Sequence, residues 1–212
     1  MKKIVTILFA SIIFTTSAFA GGLIGLKVGN GDLEATRATI VNTPAALNEA
    51  ADTQSVDHLY GAIFAEVNVN DGPINLGFEL VPLSGTISVA TDNTDASAEV
   101  GNLRTIYALA AREVGGGSVY AKLGYSEADI DNAKQSNGTT SITSFSDALE
   151  GPMIGIGFQT GEYNGLVFRA EATLTEFDDV EVKTTDTDGL VETKKGTDIE
   201  FQTLTISVAK SF

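Results

Sequence analysis

The sequence has no cysteine, no tryptophan and a single histidine. Without cysteine there can be no disulfide framework, no thiolate metal centre and no lipid-bearing cysteine behind an export signal. The lone histidine, His58, is followed by Leu59 and Tyr60, with no serine two residues beyond it. Acyl-transfer chemistry needs a nucleophile, a base and an orienting group together, and that pattern is missing. Cations are scarce: 13 Lys and Arg stand against 28 Asp and Glu, a net charge of -15. Such a balance argues against nucleic acid and anionic surfaces as partners. Long apolar runs are absent too. The stretch Ile4 to Phe14 falls short of the about 20 residues that a transmembrane helix requires, and no later run exceeds it. Gly29-Asn30-Gly31 and Gly115–Gly117 are not phosphate loops, because no helix follows either of them.

What is present begins with an export signal. Lys2 and Lys3 form a basic start, Ile4 to Phe14 is the apolar stretch, and Ala18-Phe19-Ala20 is a small-x-small cleavage site. Residues 1–20 are therefore expected to be a cleavable signal, and 21–212 one domain.

That domain is expected to be all-β. Eight segments alternate in character at about the length of a membrane strand. They are Gly22–Asn30, His58–Asn70, Ile74–Leu83, Val100–Glu113, Ser118–Ser126, Gly151–Thr160, Leu166–Thr175 and Asp198–Phe212. Four connections, Gly31–Asp57, Ser84–Glu99, Glu127–Glu150 and Glu176–Thr197, are long. The three between them are short turns at Asn70–Pro73, Gly115–Gly117 and Gly161–Gly165. Strict alternation of long and short connections is the habit of outer-membrane barrels, whose turns face the periplasm and whose loops face outward. A closed, eight-stranded antiparallel transmembrane β-barrel is the expected architecture, because lipid leaves unpaired backbone groups without water.

Parity along the strands supplies the inside and the outside. Apolar residues fall on one face, among them Leu26, Leu103, Tyr107, Leu109, Leu123, Phe168, Ala170 and Ile206. This face is assigned to lipid. Lys27, Glu66, Glu79, Arg104, Arg112, Lys122, Arg169 and Glu171 fall on the other, together with Gly25, Gly77, Gly124, Gly155 and Gly157. In a membrane barrel that face lines the lumen. Lys27 and Glu66 are expected at similar depth. Lys210 is the exception on the lipid parity, near a strand end where a lysine can snorkel.

The eight strands, the terminal strand Leu204–Phe212, and the segment Gly151–Phe158 followed by Leu166–Glu171 resemble the small eight-stranded outer-membrane barrels. These include the OmpA/OmpX-like and opacity-type surface proteins. The resemblance covers residues 21–212 as a pattern. It implies location in the bacterial outer membrane. It also implies that Phe212 is the signal read by the barrel-assembly machinery. The chain departs from the pattern in having no tryptophan for its aromatic girdles, and no appended peptidoglycan-binding domain is expected after Phe212.

Lumen charges of both signs (Lys27, Glu66, Glu79, Arg104, Lys122, Arg169 and Glu171) admit two readings, a structural plug of ion pairs or a narrow polar path. Small barrels fill their lumen with side chains, which favours the plug. The loops carry Asp92, Asp95, Glu99, Asp129, Asp131, Glu176, Asp178, Asp179, Glu181, Asp186 and Asp188. They read as a solvated acidic surface with room for an extracellular ligand. Divalent cations are a weaker reading, since Asp186–Gly189 is only a fragment of a calcium loop. No catalytic residue, metal site or cofactor is expected, and lipid is the expected surrounding partner. The expected role is a surface-exposed membrane protein of structural or adhesive type. A narrow porin-like channel is the alternative, and a lipid-modifying enzyme a more distant one.

Overall fold

A computed structural model describes residues 21–41, 52–70, 72–82, 85–91, 94–135, 140–145, 148–186 and 191–212. The expected signal at 1–20 lies outside the described residues, as do Asp92 and Asp188 of the acidic loops. Among the described residues there are eleven strands: β1 (Gly22–Val41), β2 (Asp52–Asn68), β3 (Ile74–Val81), β4 (Gly85–Thr91), β5 (Thr94–Val114), β6 (Gly117–Gln135), β7 (Thr140–Phe145), β8 (Ala148–Thr160), β9 (Leu166–Phe177), β10 (Val180–Asp186) and β11 (Val191–Ser211). They form one antiparallel sheet in the order β1-β2-β3-β5-β6-β8-β9-β11, closed by pairing of β1 with β11. Closure starts at Leu23 opposite Ser211 and runs upward to Val41 opposite Thr193. β4 continues the β3 stave along β5, β10 continues β9 along β11, and β7 pairs with β10. The fold is an eight-stave closed barrel of the outer-membrane type.

The short turns follow their glycines and asparagines. Asn164 and Gly165 have φ of 53° and 75°, and Tyr163 and Leu166 exchange two 2.9 Å hydrogen bonds around them. This is a two-residue turn with both central residues left-handed, which Asn-Gly adopts readily. Gly115 and Gly116, with φ of 60° and 92°, do the same between β5 and β6.

The long connections differ from expectation. Residues 31–57 are mostly strand: β1 continues to Val41 and β2 resumes at Asp52. β6 continues to Gln135, and β10 and β11 fill much of 176–197. A 20-residue strand such as β1, tilted by about 40° and rising about 3.3 Å per residue, climbs roughly 50 Å, against an apolar band of about 25 Å. A strand that has left lipid needs no apolar outer face, so alternation ceases to mark it while pairing continues.

The outward face is apolar over the lower staves. Leu26, Leu123, Ile156, Leu204 and Ile206 are 61–69 % exposed. β5 corrects the parity read from sequence. Ile106, Ala108 and Ala110 face outward, whereas Tyr107 and Leu109 are buried in the lumen, Leu109 completely. Both parities of Ile106–Ala111 are apolar, so alternation there carries no direction. Size decides it: the alanines leave the wall thin, and the larger side chains fill the interior. The register also slips between Gly101 and Arg104, where Asn102 takes φ of 51°. Below the slip, one unbroken register from Arg104 to Val114 keeps Arg104 on the outward parity of Ile106, and Leu103 packs inside.

Candidate functional site: a neutral ion-pair network across the lumen

Four charged side chains meet in one layer. Lys27 on β1 donates to Glu79 Oε2 at 2.6 Å and to Glu171 Oε1 at 2.5 Å. Lys122 on β6 donates to the same two oxygens at 3.0 and 3.1 Å. The four make a ring of alternating sign, and all are at most 5 % exposed. Their strands, β1, β3, β6 and β9, are every second stave in the barrel order. Inward residues from alternate strands are the ones that stack in a layer of a narrow barrel.

A second unit lies nearer the turns. Arg169 grips Glu66 with both terminal nitrogens, at 2.6 and 2.7 Å, in the bidentate geometry that suits guanidinium and carboxylate. Tyr107 donates its hydroxyl to Glu66 at 2.8 Å and Asn75 adds a 3.3 Å bond. Gln159 accepts from Arg169 Nε at 3.0 Å. The guanidinium lies 5.4 Å from the ring centres of both Phe64 and Tyr120, and the Lys122 ammonium 3.9 Å from that of Tyr107. Tyr120 joins the two units by donating to Glu171 at 3.0 Å.

The count of charges explains why burial is tolerated. Lys27, Lys122 and Arg169 oppose Glu66, Glu79 and Glu171, so the lumen network is neutral. Taking one charge out of water costs several kcal/mol, repaid when good geometry and extra hydrogen bonds satisfy the remaining lone pairs. Above the ring, hydroxyls finish the polar zone: Thr105 with Ser126 at 2.8 Å and Thr173 with Thr203 at 2.6 Å.

The structure thus gathers Lys27, Glu66, Glu79, Lys122, Arg169 and Glu171. It does not bring in Arg104. That residue faces outward near the loop side, 35 % exposed, and pairs with Asp129 at 2.7 Å and Glu127 at 3.4 Å. Its parity is that of Ile106, Ala108 and Ala110, with which it shares one unbroken register against β6. Arg112 is also outward and exposed. Lys27 and Glu66 are not at one depth: Glu66 pairs opposite Leu23, four residues nearer the turns, because the staves are staggered. Lys210 lies at the turn end and donates to the Asn164 carbonyl at 3.3 Å. His58 sits in β2 opposite Gly31, and its side chain lies outside the described residues.

Sequence reasoning missed Tyr107, Tyr120, Phe64, Gln159 and Asn75. A signal for the aromatics existed in the lumen glycines. Gly25 faces Phe64, Gly77 faces Tyr107 and Gly157 faces Tyr120 across paired strands. A Cβ on any of the three would run into the partner's ring. Each ring lies flat over a glycine, so an aromatic opposite a glycine marks the inward face. Among the described residues no three acidic or histidine side chains converge as a metal site would.

The arrangement can hold a barrel shut. Every carboxylate in it accepts from a cation, so no free nucleophile or base is left in the network. No protein-family model matches the chain, and neither does any curated protein. Solved structures do. The outer membrane protein OprG from Pseudomonas aeruginosa is similar over 92 % of this chain and 97 % of its own, at 11 % identity and a TM-score of 0.64. The attachment invasion locus protein Ail of Yersinia pestis, solved with the heparin analogue sucrose octasulfate, matches 90 % of this chain and 99 % of its own, at 11 % identity and a TM-score of 0.44. Neisserial surface protein A matches 88 % and 97 %, at 11 % identity and 0.43. The likeness to OprG supports the fold. The other two are too distant in shape to carry an argument.

Proposed function

We propose that this protein is a surface-exposed outer-membrane barrel of structural or adhesive type, with a closed lumen. The observation that carries the reading is the neutral network that crosses the lumen from β1, β2, β3, β6 and β9. A conducting pore keeps charges along a wetted wall. Here they are spent on one another. The apolar outer belt holds the barrel in lipid, and the staves that climb beyond it present an acidic surface to the outside. A non-enzymatic role fits the same picture. The test is single-channel recording of the assembled protein in planar bilayers. Little or no steady conductance is expected. Stable conductance, changed in a charge-dependent way by Arg169→Ala, would support the porin-like alternative instead.

Phe212 is proposed to be the residue read by the assembly machinery. It closes the seam by exchanging backbone bonds of 3.0 and 3.1 Å with Gly22, and it is 71 % exposed, so its ring is open to a partner. Deleting Phe212 is expected to lower the yield of heat-modifiable barrel and leave exported chain unfolded. Normal yield would remove that role.

A further inference from the structure

The wall of the barrel reverses its polarity partway up. Below, the outside is apolar and the inside charged. Above, the outside is acidic and the inside apolar. On β1, Val28 faces out and Lys27 in, but higher up Glu34 faces out and Leu33 in. On β6, Leu123 and Lys122 give way to Glu127 outside and Ala128 inside. On β8, Ile154 gives way to Glu150 outside and Leu149 inside. On β9, Phe168 and Arg169 give way to Glu176 and Phe177. On β11, Ile206 and Thr205 give way to Glu200 and Ile199. On β5, Ile106 outside and Thr105 inside give way to Arg104 outside and Leu103 inside, just below the slip at Asn102.

These changes lie at one level. Glu34 pairs opposite Glu200 and Glu200 opposite Glu176. Glu127 pairs opposite both Arg104 and Glu150, and the Asp178 amide donates to the Glu150 carbonyl at 2.8 Å, tying β9 to β8 at this height. Inside this arc of carboxylates, Leu33, Ala128, Leu149, Phe177, Val180 and Ile199 pack together, each 1–9 % exposed. Charge outside and apolar packing inside is the pattern of a barrel in water, and its opposite is the pattern of a barrel in lipid.

We propose that the reversal is the outer membrane border, and that the barrel above it is a water-immersed zone whose apolar core is a second seal on the lumen. It rests on the reading of the lumen as closed and adds a stopper of different chemistry. The lower seal is ionic and lies within the lipid zone. The upper one is apolar, lies outside it, and depends on none of the lower charges. Loss of the ionic seal alone therefore leaves the lumen shut at the height of Leu149.

The chain has no cysteine, so single-cysteine variants of the assembled full chain in lipid vesicles each report one height. A charged, water-soluble thiosulfonate should modify Glu34→Cys and Glu200→Cys rapidly. Ala128→Cys and Leu149→Cys should react about 100-fold more slowly, since only local opening exposes them. Fluorophores on Val28→Cys and Ile206→Cys should be quenched by lipid-borne quenchers, and those on positions 34 and 200 should not. Rates at 128 comparable with those at 34, or equal quenching at 34 and 28, would overturn the proposal. Ala128→Cys is a small change that keeps the test intact should Leu149→Cys assemble poorly. Conductance of the parent protein would sink the closed-lumen reading separately. A silent protein with fast modification at 128 would sink the upper seal and leave the ionic plug standing.

Discussion

The pair Glu66–Arg169 offers the sharpest measure of how the lumen is held. Arg169→Gln removes both terminal nitrogens that hold the Glu66 carboxylate at 2.6 and 2.7 Å. Glu66, only 2 % exposed, keeps its bonds from Tyr107 and Asn75 but loses its directly bonded cation. Breaking one side of a buried pair costs about 3–5 kcal/mol. The lost stacking on Phe64 and Tyr120 adds about 0.5–2 kcal/mol. A single substitution should therefore destabilise the barrel by roughly 4 kcal/mol, somewhat less where water reaches the carboxylate. Glu66→Gln leaves Arg169 with Gln159 as an uncharged partner and should cost about 3 kcal/mol. The double variant leaves no stranded charge, and its cost should fall well short of the sum, with a coupling of about 2 kcal/mol or more. The assay is urea unfolding of the assembled protein in lipid vesicles, followed by circular dichroism and by heat-modified gel mobility, since there is no tryptophan to report. Single variants within about 1 kcal/mol of the parent, or a double variant equal to the sum of the singles, would refute the reasoning.

Three further outcomes follow from the same geometry. Gly77→Ala should cost about 1–3 kcal/mol by forcing the Tyr107 ring off its seat, whereas Ala110→Val on the outer face should change little; equal effects would discount the ring contact. Leu109→Ala, emptying a fully buried site, should cost about 2–5 kcal/mol by the same unfolding assay, and Leu123→Ala on the lipid side clearly less; the reverse order would restore the parity read from sequence. Ile206→Arg should cost about 2–4 kcal/mol in lipid, while Thr205→Ser, on the inward parity, should be mild; similar losses would undo the assignment of inside and outside.

The barrel itself was legible because membrane strands must alternate and turns must carry Asn or Gly. Asn164-Gly165 and Gly115–Gly117 punctuate the chain where the staves reverse. Six of the lumen charges were legible for a related reason: a charge on a lipid-spanning strand has one place to go. Arg104 was misread together with the rest of β5: it shares the parity of Ile106, Ala108 and Ala110 in one unbroken register, so placing Leu109 toward lipid placed Arg104 in the lumen. Leu109 was misread because Ile106–Ala111 is apolar on both parities, so packing volume, not polarity, chooses the face. The upper strands were hidden because the outer face turns acidic at Glu34, Glu127, Glu150, Glu176 and Glu200, and a strand in water needs no apolar stripe toward the solvent.

The pairing within the lumen was not legible at all, and the separations show why. Lys27 meets Glu79 and Glu171 across 52 and 144 positions, Lys122 meets the same two across 43 and 49, and Arg169 meets Glu66 across 103. No contact is local, and all four ring members come from non-adjacent staves. An open sheet with β1 unpaired from β11 would leave Lys27 far from Glu171, and the three cations and three carboxylates would not yet meet. The network therefore rewards closure as a whole rather than any one hairpin. Loop-closure entropy must be met before such contacts help, so the chain should assemble slowly without a catalyst and separate cooperatively once formed. The same six charges that would be a liability in lipid on an open sheet become, on the closed barrel, the reason it stays closed.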